Sequence, residues 1–214
     1  MFKQLFVSLG AVSILTMSAA IAPAADDIET ELASVESAAL GIDSDLPWSE
    51  IVQINDPFEG SFVGVFDRHS FFGRLLNTSV RVEVQSLWTR DYIRVLSIVR
   101  DRDCLSQPAG VAISPRCSEF NNARNITRLL IKIEDDVIEM TGQGSTFSVS
   151  DRVAAALQSA PDEVIKIRLI SENGETIDSE IGKGTVEAWK TIYGVEAIAG
   201  CYPDQSQSQS QSQS

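Results

Sequence analysis

Short runs in which apolar and polar residues strictly alternate constrain the fold of this chain more than any other feature. In one run, Val80, Val82 and Val84 alternate with Arg81 and Glu83. A period of two places successive side chains on opposite faces of the backbone, so each run predicts a β-strand with one buried face. The same alternation occurs over residues 165–169 and, with Leu130 as an apolar exception, over residues 129–133.

Short connections between apolar runs predict that neighbouring strands pair antiparallel. Residues 89–91 precede a strand-like run over 92–99, and residues 134–136 separate two further apolar runs. Asn173 and Gly174 lie between the last two runs. An Asn-Gly pair is typical of a two-residue hairpin turn because both positions accept positive φ. We therefore expect three hairpins, the last with positive φ at both turn residues.

Two short helical patterns interrupt these strands. Ser150 is placed to cap a helix over 151–159, in which Val153, Ala156 and Leu157 form the apolar stripe. The second pattern is predicted to start at a threonine cap and to end at a glycine, with two aromatic residues and one valine turned inward. Its residues are Thr185, Val186, Trp189, Tyr193 and Gly194. We expect Trp189 to lie in the core and Trp88, near a strand end, to be exposed.

The order of these elements predicts the fold class. Residues 126–200 read strand, strand, short strand, helix, strand, strand, helix, which is typical of an α+β protein and not of a wound βαβ sheet. We expect strand-rich antiparallel sheets built from hairpins, with two or three short helices packed on one face. A single domain over 46–200 is predicted, with two halves over 46–120 and 126–200 as the alternative.

The stretch ahead of this domain predicts a further helix. Apolar residues recur there at spacings of four, three and four, at Ile28, Leu32, Val35 and Ala39. Gly41 follows where a glycine commonly ends a helix. We expect residues 25–45 to be this amphipathic helix and a linker.

The first 24 residues have the organisation of a secretory signal peptide. Lys3 provides a basic start, residues 4–25 carry no charge, and residues 22–24 form a small-x-small cleavage signature. An uncleaved membrane anchor is the alternative because the uncharged run approaches the length of a membrane span. Serine, glycine and alanine dilute that run. We therefore expect an exported protein, periplasmic or extracellular, with no stable membrane span after cleavage.

The charge of the chain restricts its partners. The formal net charge is −13, and removing residues 1–24 takes away one lysine and no acid, which leaves −14. Nucleic acid is excluded as a simple partner because its phosphates would meet net repulsion. An unknown protein or polymer is the expected partner. The Gln-Ser repeat within 201–214 has no apolar residue to bury, so a disordered tail is predicted there.

The chain has three cysteines, and the oxidising compartment expected for an exported protein allows them to form disulfides. Cys104 and Cys117 enclose twelve residues that include two prolines and one glycine, and this irregular loop favours a disulfide between them. Cys201 is then the odd cysteine. It can pair with either of the others, link two chains as a dimer, or remain free, and its spacing does not choose among these.

Residues with catalytic or metal-binding chemistry form no complete motif in the sequence. His69 is the only histidine, and a structural role is favoured for it over catalysis. Weak candidates for a calcium site are carboxylates near strand ends and turns, namely Asp101, Asp103, Glu134, Asp135 and Asp136. The glycines of 182–185 indicate a tight strand-to-helix turn, with anion binding as the alternative. No cofactor is expected.

These observations favour a non-enzymatic binding or structural module of the cell envelope or extracellular space. Its hairpins would expose sheet faces and edges suited to a partner. Two alternatives remain open, namely a carboxylate-dependent secreted hydrolase and a calcium-stabilised structural domain.

Overall fold

A computed structural model describes residues 32–42, 44–75, 78–104 and 117–194, with backbone alone at 74–75, 78–79, 101–104 and 117–120. These residues belong to one compact unit that starts at Leu32. They form eleven strands and two helices. The elements are β1 (Ala33–Val35), β2 (Ile51–Asp56), β3 (Gly60–Leu75), β4 (Thr78–Thr89), β5 (Tyr92–Cys104), β6 (Cys117–Arg124), β7 (Ile126–Ile133), β8 (Asp136–Thr141), β9 (Thr146–Ser148), α1 (Asp151–Gln158), β10 (Ile165–Ser171), β11 (Thr176–Ile181) and α2 (Lys183–Ile192).

The strands form two sheets. The first sheet has the order β1-β2-β3-β4-β5-β6, with β9 also paired to β5. Within it β1 runs parallel to β2, whereas the other pairs are antiparallel. The second sheet has the order β11-β10-β7-β8 and is antiparallel throughout. The chain is therefore strand-rich, with mixed and antiparallel sheets and two short helices in its described part.

The larger apolar core joins both sheets and both helices. It contains Val82 and Trp88 of the first sheet, Leu129 of the second, Leu157 of α1 and Trp189 of α2. This core contains residues from both of the regions considered as separate halves, 46–120 and 126–200. The two regions therefore share one core in the described chain. The alternating runs have their expected apolar face in it.

Trp88 contradicts the expectation that it is exposed. Its side chain is 0% exposed, and its ring centroid lies 4.5 Å from that of Trp189, which is buried as expected. The Trp88 Nε1–H donates to Ser86 Oγ at 2.7 Å. The position near a strand end was misleading because β5 and α2 extend the core over that end of β4.

A second apolar cluster covers the opposite face of the first sheet, and it corrects the predicted N-terminal helix. The described part of that stretch contains strand β1 and an extended segment, whose Val35, Ala38 and Leu40 pack on this cluster. The Ala38 N–H donates to Asp56 Oδ2 at 2.9 Å, and Gln85 exchanges hydrogen bonds of 3.0 and 2.8 Å with the backbone of Gly41. A short isolated helix is marginally stable, and pairing with the sheet replaces it here. Residues 25–31 and residue 43 of this predicted stretch lie outside the described residues.

The predicted two-residue turn at Asn173 and Gly174 is also corrected. Among the described residues other than glycine, positive φ occurs at Ser49, Glu134 and Ser145, so Asn173 does not have it. Gly174 does, with φ of 82°. The Gly174 N–H donates to the Ser171 carbonyl, and the Ser171 N–H to the Glu175 carbonyl, both at 2.9 Å. This pattern is that of a three-residue loop with a glycine bulge, which needs only one positive φ.

Of the two predicted helix caps, the first is confirmed and the second is wrong. Ser150 caps α1 as expected, with Oγ accepting from the Val153 N–H at 3.4 Å. The cap of α2 is Gly182 and not the predicted Thr185, because the helix begins three residues earlier. Thr185 is buried inside the first turn of α2, and its hydroxyl donates to Asp67 instead of capping the helix.

Candidate functional site

A groove of about 570 Å³ is lined by residues of the second sheet and of β3. We call it the sheet-face groove. Its lining consists of His69, Phe71, Leu130, Lys132, Val137, Lys166, Ile167, Arg168, Asp178, Ser179 and Glu180.

The period of two explains why the groove is both charged and apolar. In β10, Ile165 and Ile167 are buried on the core side, whereas Lys166 and Arg168 are exposed on the outer side. Val137 of β8 adds an apolar side chain that is 57% exposed. The outer face of the sheet therefore offers cations beside apolar surface.

Lys132 and Lys166 stand opposite each other in this groove. They are register partners on the antiparallel strands β7 and β10, and both side chains are exposed. Like charges in this position destabilise a sheet. Among the ion pairs of the described residues none includes either lysine, whereas Lys183 pairs with Glu187 and Lys190 pairs with Asp162.

Arg168 is neutralised within the groove. Its Nε and one terminal nitrogen donate to the two carboxylate oxygens of Asp178 at 2.5 and 2.9 Å. The hydrogen bond from Arg168 is the main cause that lowers the pKa of Asp178, and the same bond raises the pKa of Arg168. Asp178 is therefore an ionised partner of Arg168 and not a proton donor.

His69 forms the wall of the groove that comes from the first sheet. Its Nδ1 accepts from the Glu180 N–H at 3.3 Å and lies 3.1 Å from Ser179 Oγ. Its ring stacks on Phe71 with centroids 5.4 Å apart. Because Nδ1 accepts from a backbone donor, the neutral ring carries its hydrogen on Nε2.

A buried carboxylate, Asp67, lies two residues before His69 on β3. Its Oδ1 accepts from the Thr185 hydroxyl at 2.6 Å and from the Gly182 N–H at 3.1 Å, and Ser49 Oγ lies 3.0 Å from Thr185 Oγ1. Burial raises the pKa of Asp67, and these hydrogen bonds oppose that shift. The start of α2 is thus occupied by a carboxylate of the chain itself, where a helix favours negative charge.

The structure does not bring the candidate calcium ligands together in its described part. Glu134 and Asp135 form the turn between β7 and β8, Asp136 begins β8, and all three are exposed. No three His, Cys, Asp or Glu side chains group as a metal site within the described residues. Asp101 and Asp103 lie on β5, and their side chains are outside the description.

The cysteines are described only in part. Cys104 and Cys117 are register partners at the ends of β5 and β6. Their thiols, and the whole of Cys201, lie outside the described residues.

Sequence reasoning missed both Asp67 and the lysine pair. Asp67 follows two buried residues, Val65 and Phe66, and that position was a usable signal for burial. Lys132 and Lys166 were recognised as polar positions of alternating strands. Their juxtaposition depends on the register between two strands that are distant in sequence.

Comparisons with other proteins do not assign this chain to a family. The sequence matches no protein-family model, and neither a curated protein nor a solved structure is significantly similar to it. Neither of the two helices in the described ranges has the length and apolar character to cross a membrane.

Proposed function

We propose that this chain is an exported, non-enzymatic binding module that holds its ligand in the sheet-face groove. The observation that carries the proposal is the groove itself, because a volume of about 570 Å³ falls within the range of small-molecule sites. Export rests on the signal-like organisation of residues 1–24. A periplasmic or extracellular location follows from it.

Binding is favoured over catalysis by the contacts of the titratable groups in the groove. Asp178 is held by Arg168, which keeps it ionised. The Nδ1 of His69 accepts from the backbone of Glu180. A general base needs a lone pair facing the substrate, and this nitrogen already has a partner.

The hydrolase and calcium alternatives have less support. A carboxylate-dependent hydrolase needs two carboxyl groups on opposite sides of the scissile bond. The two acids in the groove, Asp178 and Glu180, lie two residues apart on the same strand. A calcium site needs six to eight oxygen ligands, roughly, and no observation favours one at the exposed turn of Glu134 and Asp135.

We also propose the disulfide between Cys104 and Cys117. Directly opposed residues of an antiparallel pair have Cα atoms about 4.5–5.5 Å apart, which falls within the range that a disulfide spans. Cys201 is then available for a dimer link. The finer architecture, with sheets built from hairpins and the short helices packed on one face, is part of the same proposal.

A fragment screen on the ¹⁵N-labelled mature protein tests the proposed function. We expect small amphipathic fragments to shift amide signals of β7, β10 and β11 more than signals elsewhere. Leu130→Trp adds bulk inside the groove and should remove these shifts. Thr141→Trp adds the same bulk on an exposed position of the same sheet outside the groove lining, and should leave them. Fragment shifts scattered over the surface, or equal in both variants, contradict the proposal.

A further inference from the structure

We infer that the ligand of the sheet-face groove is a carboxylate joined to an apolar body, bound by its anionic group between Lys132 and Lys166. The inference rests on the proposed function and specifies its ligand class. Its starting observation is the direct opposition of two exposed lysines in register on β10 and β7.

Neither lysine of this pair takes part in an ion pair among the described residues, although Glu180 is the register partner of Lys166, and this is unusual for this chain. Acidic residues outnumber basic ones by 30 to 17, so carboxylates are plentiful as partners. The two other lysines of the described residues, Lys183 and Lys190, each have one. An anion placed between Lys132 and Lys166 converts a repulsive pair into two attractive contacts.

The charges around the pair favour a monoanion. Arg168 and Asp178 neutralise each other through two hydrogen bonds. Glu180 is the register partner of Lys166 on β11 and offsets one of the two lysine charges. Summed over these two lysines, Arg168, Asp178 and Glu180, the groove has one excess positive charge, which one carboxylate balances. A phosphate dianion would leave a negative excess.

His69 adds a donor at the opposite wall. Because Nδ1 accepts from the Glu180 N–H, the hydrogen of the neutral ring is on Nε2. No hydrogen bond among the described residues involves that nitrogen. A carboxylate in the groove can accept from it as well as from the lysines.

The apolar body of the ligand has its own surface in the groove. Phe71, Leu130 and Val137 line it beside the lysines, and Val137 is 57% exposed. Lysine stems add further apolar surface, since their methylene groups contact apolar ligands while the ammonium remains solvated. A simple inorganic anion would leave this surface uncovered.

Three probes with the same alkyl chain test the inference: octanoate, octyl phosphate and 1-octanol. Each is titrated into the ¹⁵N-labelled mature protein below its aggregation concentration. We expect octanoate to bind at least tenfold more tightly than octanol, with shifts at β7, β10 and β11. Octyl phosphate is expected to bind more weakly than octanoate.

Two double variants with the same charge change show where the anion binds. Lys132→Gln with Lys166→Gln should abolish the preference for octanoate over octanol. Lys183→Gln with Lys190→Gln, on the helix outside the groove, should retain it. The preference should also weaken with added salt, because the lysines are exposed.

The outcomes separate this inference from the proposed function. Equal binding of octanoate and octanol in the groove overturns the carboxylate inference and leaves the groove as a binding site. Tighter binding of octyl phosphate overturns the choice of a monoanion. A preference for octanoate over octanol that persists in the Lys132 and Lys166 double variant overturns the lysine assignment. Failure of the fragment screen at the groove contradicts the proposed function itself.

Discussion

The Thr185 hydroxyl donates to the buried Asp67 carboxylate at 2.6 Å and thereby joins the first turn of α2 to the middle of β3. Thr185 is 0% exposed and Asp67 is 3% exposed. A carboxylate in such a place is stabilised only by the hydrogen bonds that it receives. This contact and the Gly182 N–H are therefore responsible for holding the charge where the helix begins.

Removing the hydroxyl tests the importance of this contact. Thr185→Val preserves the shape of the side chain and removes the donor to Asp67, so we expect the free energy of unfolding to fall by about 1–3 kcal/mol. Thr191→Val on the exposed side of the same helix is the matched control, and its effect should stay within about 0.5 kcal/mol. Denaturant titration measures both. Equal effects of the two substitutions would show that the contact has no special role.

The raised pKa of Asp67 predicts how its contribution depends on pH. Because burial raises the folded pKa above 3.8, the folded state binds this proton more tightly than the unfolded state. The associated stabilisation is complete below pH 3.8 and is lost as the pH rises through the folded pKa. We therefore expect the stability of the native protein relative to Asp67→Asn to decrease over that range.

A second carboxylate provides a control of opposite sign. The pKa of Asp178 is lowered by Arg168, so its contribution is present above the unfolded pKa and is lost as the pH falls through the folded one. The stability of the native protein relative to Asp178→Asn should therefore increase with pH. Unfolding curves of the three proteins between pH 2 and 7, roughly the range over which carboxyl groups titrate, compare the slopes. Slopes of the same sign would contradict the role assigned to Asp67.

Replacing one groove lysine should separate stability from binding. Lys132→Glu places opposite charges at the register pair with Lys166, so we expect the free energy of unfolding to rise by about 0.2–1 kcal/mol. The same variant should lose its preference for octanoate. Lys183→Glu makes the same charge change beside Glu187 and should not stabilise the protein. A Lys132→Glu variant that is less stable than the native protein would show that the lysine pair carries no strain.

The strands were predictable because their signal is local. Alternation at Val80–Val84 or Ile165–Leu169 requires only that one face be buried, and both runs are strands with that face in the core. The helix pattern predicted within residues 25–45 was equally local. Part of that stretch is nevertheless strand β1, because a tertiary pairing with β2 overrides a weak helical preference.

The candidate site was less predictable because it depends on contacts between residues that are distant in sequence. Lys132 and Lys166 are 34 residues apart by their numbers, and their opposition follows from the register of β7 against β10. The burial of Asp67 follows from the packing of α2 on β3. Neither relation has a signal within a few residues of sequence. The burial of Trp88 was equally unpredictable, because helix α2, which packs on it through Trp189, begins nearly a hundred residues later.

Two tyrosines provide the last prediction, because their hydroxyl groups have opposite surroundings. Tyr193 is 1% exposed, its hydroxyl has no hydrogen-bond partner among the described residues, and burial raises its pKa. Tyr92 donates to Glu59 Oε2 at 2.8 Å. Removing an unpaired buried hydroxyl relieves a desolvation cost, whereas removing a paired one loses a hydrogen bond. We expect Tyr193→Phe to leave stability unchanged or raise it by up to about 1 kcal/mol, and Tyr92→Phe to lower it by about 0.5–1.5 kcal/mol. Denaturant titration of both variants decides the matter, and a larger loss for Tyr193→Phe would mean that its hydroxyl has a partner after all.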